Sequence, residues 1–206
     1  MQQEDVRLVA ETLKGDPEAF RPLVEKYQSR LYDLALRMTG SIPEAEDIAQ
    51  AAFIRAYSGL KLYDPTRSFF NWLYTIALNI TRNRLRRKAI INFFSLERFH
   101  EDEHVFPEPS DRNDNPEESI TRRELSQYLD KAIRNLSVPL REAFVLFHFH
   151  GADVKDIAAG LGVSQNAVSL RLLKARKSLY SQLSPRFPEY FTKQGDYKEA
   201  SYGFTG

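Results

Sequence analysis

Asn79, Asn83 and five cations, Arg82, Arg84, Arg86, Arg87 and Lys88, follow directly on the rings of Phe69, Phe70, Trp72 and Tyr74 in the stretch FFNWLYTIALNITRNRLRRK. Rings stack on unpaired bases, side-chain amides hydrogen-bond to base edges, and Arg and Lys pair with phosphate, so this composition suits a single-stranded nucleic acid. At 3.6 residues per turn, Phe69, Leu73, Ile76 and Ile80 share one face, while Asn71, Thr75, Asn79, Arg82, Asn83 and Arg86 line the other. The spacing predicts a helix capped by Ser68, with its cations at the end where the helix dipole favours them. An amphipathic core helix with a solvated basic end meets the same spacing, and Trp72 fits packing and stacking equally.

A second constellation lies further along the chain. Val154, Ile157, Ala158 and Leu161 recur at i, i+3, i+4 and i+7, Gly162 follows, and Ser164 is placed to cap a helix running to about Leu183. Two helices, the first short, joined by a tight turn with Gly are the sequence form of a helix-turn-helix. In the second of them Val168, Leu172, Ala175 and Leu179 face inward. Gln165, Asn166 and Ser169 come early and Lys174, Arg176 and Lys177 late. That division suits base edges first and phosphate afterwards; an ordinary helical hairpin is the plainer alternative. Leu170 and Leu173 fall on the outer face, where thymine methyls, the aromatic tail or a partner protein could each cover them.

His100-Glu101-Asp102-Glu103-His104 satisfies the H-E-x-x-H pattern of zinc hydrolases. It lies in an acidic, Pro-interrupted segment with no apolar face to bury a metal and no third ligand, so a solvated charge run is the better reading. His148 and His150, in FHFHG, end an apolar helix and suit capping or packing. There is no Gly-rich phosphate loop, no Ser-His-Asp arrangement and no cysteine, so the expectation is no catalytic residue, no metal and no cofactor.

The elements that must hold these residues are helical throughout. Glu4 to Lys14 is a short helix; a longer one opens at Pro17, with Phe20, Leu23, Val24, Tyr27, Leu31, Leu34 and Met38 as its stripe and Gly40 as its end. A third opens at Pro43 with Ile48, Ala49, Ala52, Phe53 and Ala56 inward and Glu46, Asp47 and Gln50 outward. The fold class expected is therefore all-α, two small helical domains joined by an acidic flexible linker: 1–90, the linker 91–118 with a short helical piece near Phe94 to Phe99, 119–184, and a tail 185–206 without assigned structure. Net charge sharpens the division. It is +3 over 1–90, −7 over 91–118, +5 over 119–185 and zero over 186–206, two basic blocks flanking an acidic one. With 206 residues, 42% hydrophobic and 28% charged, no apolar run long enough for a bilayer and no signal-peptide pattern, a cytoplasmic protein without membrane insertion is expected.

The AEDIAQAAFIRAY helix, FFNWLYTIALNITRNRLRR, the acidic linker and a helix-turn-helix ending LRLLKARKSL, in this order over residues 5 to about 184, resemble an extracytoplasmic-function sigma factor of the sigma-70 family. The resemblance implies a region 2 bundle that binds the β′ clamp helices of core RNA polymerase around Glu46, Asp47, Gln50 and Ile54, with further contact to the β subunit. It implies that Trp72, Tyr74, Thr75, Asn79, Arg82, Asn83 and Arg86 melt and read the minus-ten element, Asn79 beside the pocket for a flipped-out base. It also implies that Ser164, Gln165, Asn166, Ser169, Leu170, Arg171, Lys174 and Lys177 of region 4 read the minus-thirty-five element, and that an anti-sigma factor can be a partner. A stand-alone helix-turn-helix regulator is the alternative. Two departures stand out: Ala51 follows the Gln where the family usually has an acid, and Leu170 stands between Ser169 and Arg171.

Overall fold

The computed structural model describes residues 2–94 and 116–191, and their regular structure is entirely helical. The helices are α1 (Gln2–Leu13), α2 (Arg21–Thr39), α3 (Ile42–Ser58), α4 (Phe69–Phe94), α5 (Pro116–Arg134), α6 (Val138–His148), α7 (Val154–Leu161) and α8 (Gln165–Leu183). Short 3-10 turns occupy Pro17–Phe20, Leu60–Leu62 and Pro188–Tyr190. The H-E-x-x-H match and most of the acidic segment lie outside the described residues.

Local chemistry sets most boundaries. Asp16 caps the Pro17–Phe20 turn by accepting from the Glu18 amide, but the expected single helix from Pro17 restarts at Arg21. Pro22 has no amide hydrogen to continue the earlier hydrogen-bond ladder and is tolerated only in a first turn. Gly40 closes α2 at φ 72°, a left-handed conformation that costs Gly little. Ser41, Asp153 and Ser164 accept first-turn amides of α3, α7 and α8. α4 continues six residues past the expected end at Lys88, to Phe94, and Ser68 accepts from the Asn71 amide at its start.

In the first half of the chain, α2, α3 and α4 pack around a ring cluster. Phe69 lies 5.5 Å from Tyr63, 5.7 Å from Tyr27 and 6.4 Å from Phe20, each edge-on or tilted, arrangements that aromatic pairs favour. In the second half, α6 and α7 pack on α8 through Val145, Leu146, Ile157, Val168, Leu172 and Ala175.

These halves are not separated beads. A single apolar cluster runs through both, and α2 meets α5 and α6 while α4 meets α7. Tyr74 is fully buried there, its hydroxyl donating to the Asp156 carbonyl at 3.0 Å, and the Asn71 amide donates to the Asp156 carboxylate. Gly160 of α7 lies so close that a Cβ would stand 2.9 Å from both the Tyr74 ring and Thr75 Oγ1. Arg82 makes a two-pronged pair with Glu142 of α6, at 2.5 and 2.8 Å, and Glu142 is 1% exposed. From α2, Arg30 donates to the His150 carbonyl at 2.9 Å and covers the Phe70 ring, and Arg37 covers Phe149 while pairing with Asp130. Arg141 in turn donates to the carbonyls of Met38, Arg134 and Leu136.

His150 is buried in the same seam, beside Phe70. Its pKa is pushed down to about 4, mainly by burial; Asp33, 3.5 Å from Nε2 but not hydrogen-bonded to it, opposes this, and Arg30 and Arg37 add to it.

Two measurements probe the seam. Gly160→Leu is expected to separate the halves and raise the hydrodynamic radius, with far-ultraviolet dichroism unchanged; an unchanged radius would show that α7 does not need the close approach. His150, depressed below its ordinary 6.5, binds fewer protons in the packed form. Its contribution is therefore complete above pH 6.5 and is lost as the pH falls toward 4. Asp130, held above its usual range mainly by burial, runs in the opposite sense at the acid end. Urea unfolding should show roughly 1–2 kcal/mol less stability at pH 5 than at pH 7, and His150→Phe should flatten that difference.

Candidate nucleic-acid interface

Three surfaces carry the residues singled out above, and each is built differently. On α4, Asn79, Asn83 and Arg86 are exposed and follow one another along a single side of the helix, with Arg87 and Lys88 continuing the cationic end. Asn79 Oδ1 accepts from Arg82 Nη1 at 3.2 Å, which fixes the amide with its nitrogen outward. Trp72 is half-buried, its ring 5.5 Å from Tyr63 and 5.7 Å from Phe69, so it lines the boundary between core and surface. Tyr74, Thr75 and Arg82 are instead engaged with α6 and α7. Burial, together with the Asp156 and Asp153 charges, raises the Tyr74 hydroxyl well above its usual pKa and keeps it a donor. With the halves packed, these three are closed to a nucleic acid strand.

The second surface is a groove of about 750 Å³ between α2 and α3. Val24, Tyr32, Leu36, Ala49 and Phe53 supply apolar walls, and Glu46, Gln50 and Ile54 line it beside them. Ile54 is 60% exposed, an uncovered aliphatic side chain at an otherwise polar surface. Asp47 is not part of this groove. It points toward α4 and pairs with Arg84 at 3.2 Å, as Glu44 pairs with Lys88 at 3.6 Å one turn away. These exposed pairs contribute little to stability but hold α3 alongside the basic part of α4.

The third surface is the outer face of α8. Ser164 is consumed as the cap, its Oγ accepting from the Ala167 amide at 3.2 Å. Gln165, Asn166, Ser169, Leu170, Leu173, Lys174 and Lys177 are exposed, while Arg171 turns aside into a second groove of about 480 Å³ between α4 and the second half, together with Arg82 and Arg86. Val168, Leu172, Ala175 and Leu179 are buried, as the period of 3.6 requires. At the base of this helix Arg176 Nε approaches His148 Nε2 at 3.4 Å, and burial followed by the Arg176 charge lowers the His148 pKa.

Sequence reasoning did not find Asp156, Gly160 and Glu142, the α4-facing residues of the second half. Their only signal was a small residue and two acids on helices whose apolar stripes pointed elsewhere. The α2 side of the groove was likewise missed, because Tyr32 and Gln28 fall off the stripe of that helix.

Comparison with known proteins agrees with the order of these elements. The family model for sigma-70 region 2 matches residues 23–90, and that for sigma-70 region 4 matches residues 126–179. The chain is 32% identical over 193 residues to the RNA polymerase sigma-H factor of Pseudomonas aeruginosa, covering 91% of this chain and 98% of that one. It is 33% identical over 176 residues to the ECF RNA polymerase sigma factor SigW of Bacillus subtilis, covering 85% and 94%. Among solved structures, CnrH in complex with the cytosolic domain of CnrY matches with a TM-score of 0.63 and 26% identity over 89% of this chain and 99% of that one. The sigma factor RpoE in complex with the anti-sigma factor NepR, from Bartonella quintana, has the same fold at a TM-score of 0.66 and 23% identity, covering 80% and 96%. Two family regions in order over more than half of the chain, on an all-helical frame shared with such factors, place this protein in the sigma-70 family as an extracytoplasmic-function RNA polymerase sigma factor.

Proposed function

We propose that this sigma factor binds core polymerase through the α2–α3 groove, opens and reads the minus-ten element with α4, and reads the minus-thirty-five element with the outer face of α8. One observation carries the reading: α4 leaves Asn79, Asn83 and Arg86 exposed along one side while the rings behind them pack inward, with Trp72 at the edge. A duplex reader needs charge and polar groups; a strand reader needs, in addition, an amide beside a ring at a sheltered edge, where an extruded base can be paired and stacked.

The groove suits the β′ clamp helices. Its walls are largely apolar, with Glu46 and Gln50 of α3 and Asp33 and Arg37 of α2 among its polar lining, and it offers Ile54 as an uncovered anchor of the kind that dominates interface energies. Asp47, paired with Arg84, supports α3 from outside that contact. Contact with the polymerase β subunit and work in the cytoplasm accompany this role, and we assign no catalytic step to the chain. Among the described residues no helix is long and apolar enough to cross a membrane.

Tyr74, Thr75 and Arg82 reach the promoter only after α7 and α6 leave α4, so the packed form is a resting state with its minus-ten face half covered. Arg82 then exchanges the Glu142 carboxylate for a phosphate, one charge-assisted pair for another. The likeness to CnrH, solved in complex with the cytosolic domain of CnrY, supports a protein partner for this chain as well, and we assign that partner as an anti-sigma factor. The rival reading, a stand-alone helix-turn-helix regulator, does not account for the groove or for the α4 edge.

Removing the Asn79 amide with Asn79→Ala should lower open-complex formation about tenfold, the scale of one lost base contact, while leaving core affinity unchanged in a pull-down. Permanganate reactivity of the minus-ten thymines reads this directly, and equal reactivity would remove Asn79 from the strand. Ile54→Asp should weaken holoenzyme assembly at least about tenfold, as expected for an interface anchor, whereas Asp47→Ala should change it much less. Fluorescence titration of core against each variant separates the two, and the reverse ranking would move the polymerase contact out of the groove.

A further inference from the structure

Leu170 and Leu173 are 50% and 60% exposed on the outer face of α8, between Asn166 on one side and Lys174 and Lys177 on the other. Two neighbouring aliphatic side chains uncovered one turn apart on an otherwise polar helix face form a small apolar patch that a partner segment could cover. The path of the chain after α8 supplies one.

At Leu183 the helix stops, and the amides of Arg186 and Phe187 donate back to the Leu183 carbonyl at 3.1 and 3.0 Å. Phe187 is buried against Tyr128 of α5, its ring 5.6 Å away, which pins the reversal. After the Pro188–Tyr190 turn, the Phe191 ring stands edge-on to Tyr180 at 5.4 Å and 88°. The chain has therefore turned and is heading back along α8. Tyr180 is seven residues from Leu173, two turns along nearly the same line of the helix, or roughly 10 Å. Residues 192–206, TKQGDYKEASYGFTG, continue from that point with Tyr197, Tyr202 and Phe204, and with Asp196 and Glu199 to meet Lys174 and Lys177. Fifteen residues reach about 50 Å when extended, several times the distance required.

We propose that residues 192–206 dock on the outer stripe of α8, with Tyr197 over Leu173 and Leu170, and shield that face until DNA displaces them. The Tyr180–Phe191 contact is the first rung of the cover, and the two leucines are the next. Because the segment is tethered at roughly millimolar effective concentration, a contact with a Kd of about 0.25 mM on its own would occupy the face about four-fifths of the time and weaken duplex binding about fivefold. The docking stands on the path of the chain alone; its effect on DNA rests on the reading of α8 as the minus-thirty-five helix.

The absence of cysteine in the chain gives a clean test. Full-length protein carrying Leu173→Cys and Tyr197→Cys should close an intramolecular disulfide under mild oxidation much faster than a control pair of Leu62→Cys, 81% exposed in the first half, with Tyr197→Cys. Equal rates for the two pairs would overturn the docking. Disulfides formed between chains, rising with protein concentration, would overturn it in favour of a second copy on that face. In parallel, the full chain with Tyr197→Ser, Tyr202→Ser and Phe204→Ser, assembled with core, should bind a minus-thirty-five duplex about fivefold more tightly. A selective disulfide with unchanged duplex affinity would confirm the docking and remove α8 from duplex reading.

Discussion

The burial of Tyr74 between the two halves is the constraint on which the rest of the arrangement depends. A phenol at the centre of an apolar seam needs a partner for its hydroxyl, and the Asp156 carbonyl in the first turn of α7 supplies it. That bond sets the height of α7 on α4, and the absence of a side chain at Gly160 lets the two helices approach closely enough to make it. Once α7 is placed, α6 and α8 follow, since all three share the core around Ile157, Val168 and Leu172. The Arg82–Glu142 pair then closes on the next turns of α4.

Arginine does much of the joining. Arg30, Arg37, Arg82 and Arg141 each reach across or along the seam, and between them they use the planar guanidinium in three ways: over a ring, against a carboxylate, or forked onto carbonyls at helix ends. Such contacts are specific in direction but readily exchanged for water or phosphate, unlike interdigitated aliphatic packing. The seam is thus well defined in geometry while its polar contacts are of an exchangeable kind. Glu142, almost fully buried, is the group least able to tolerate the loss of its partner, so separation must hydrate it as Arg82 departs.

The three candidate surfaces are consequently in different states in the packed molecule. The α2–α3 groove is open, the α4 face is open at Asn79, Asn83 and Arg86 but closed at Tyr74 and Arg82, and no described residue covers the two leucines of α8. Asp47 pairs with Arg84 and so ties α3, which lines the groove, to the basic part of α4.

Much of this was determined by the sequence alone. The period of 3.6 marked α2, α3, α4, α7 and α8 and their buried sides, because amphipathic spacing follows from helix geometry and needs no knowledge of neighbours. Gly40, Gly162, Ser68 and Ser164 marked ends, because caps act within one turn. The order of four motifs was enough to indicate the family, and Asn79 and the outer face of α8 could be named in advance as exposed polar residues. Only tertiary structure decided that α4 is buried on two sides, since one helix cannot show how many neighbours it has. Tyr74, Thr75 and Arg82 read as free polar or aromatic residues until α6 and α7 were seen against them. Asp47 read only as an outward residue of α3, and its neighbour Arg84, thirty-seven positions away, became visible only in the fold. Pairings of that kind depend on which helices meet and at what height. That is settled by the shapes of the packed faces, and no local spacing encodes it.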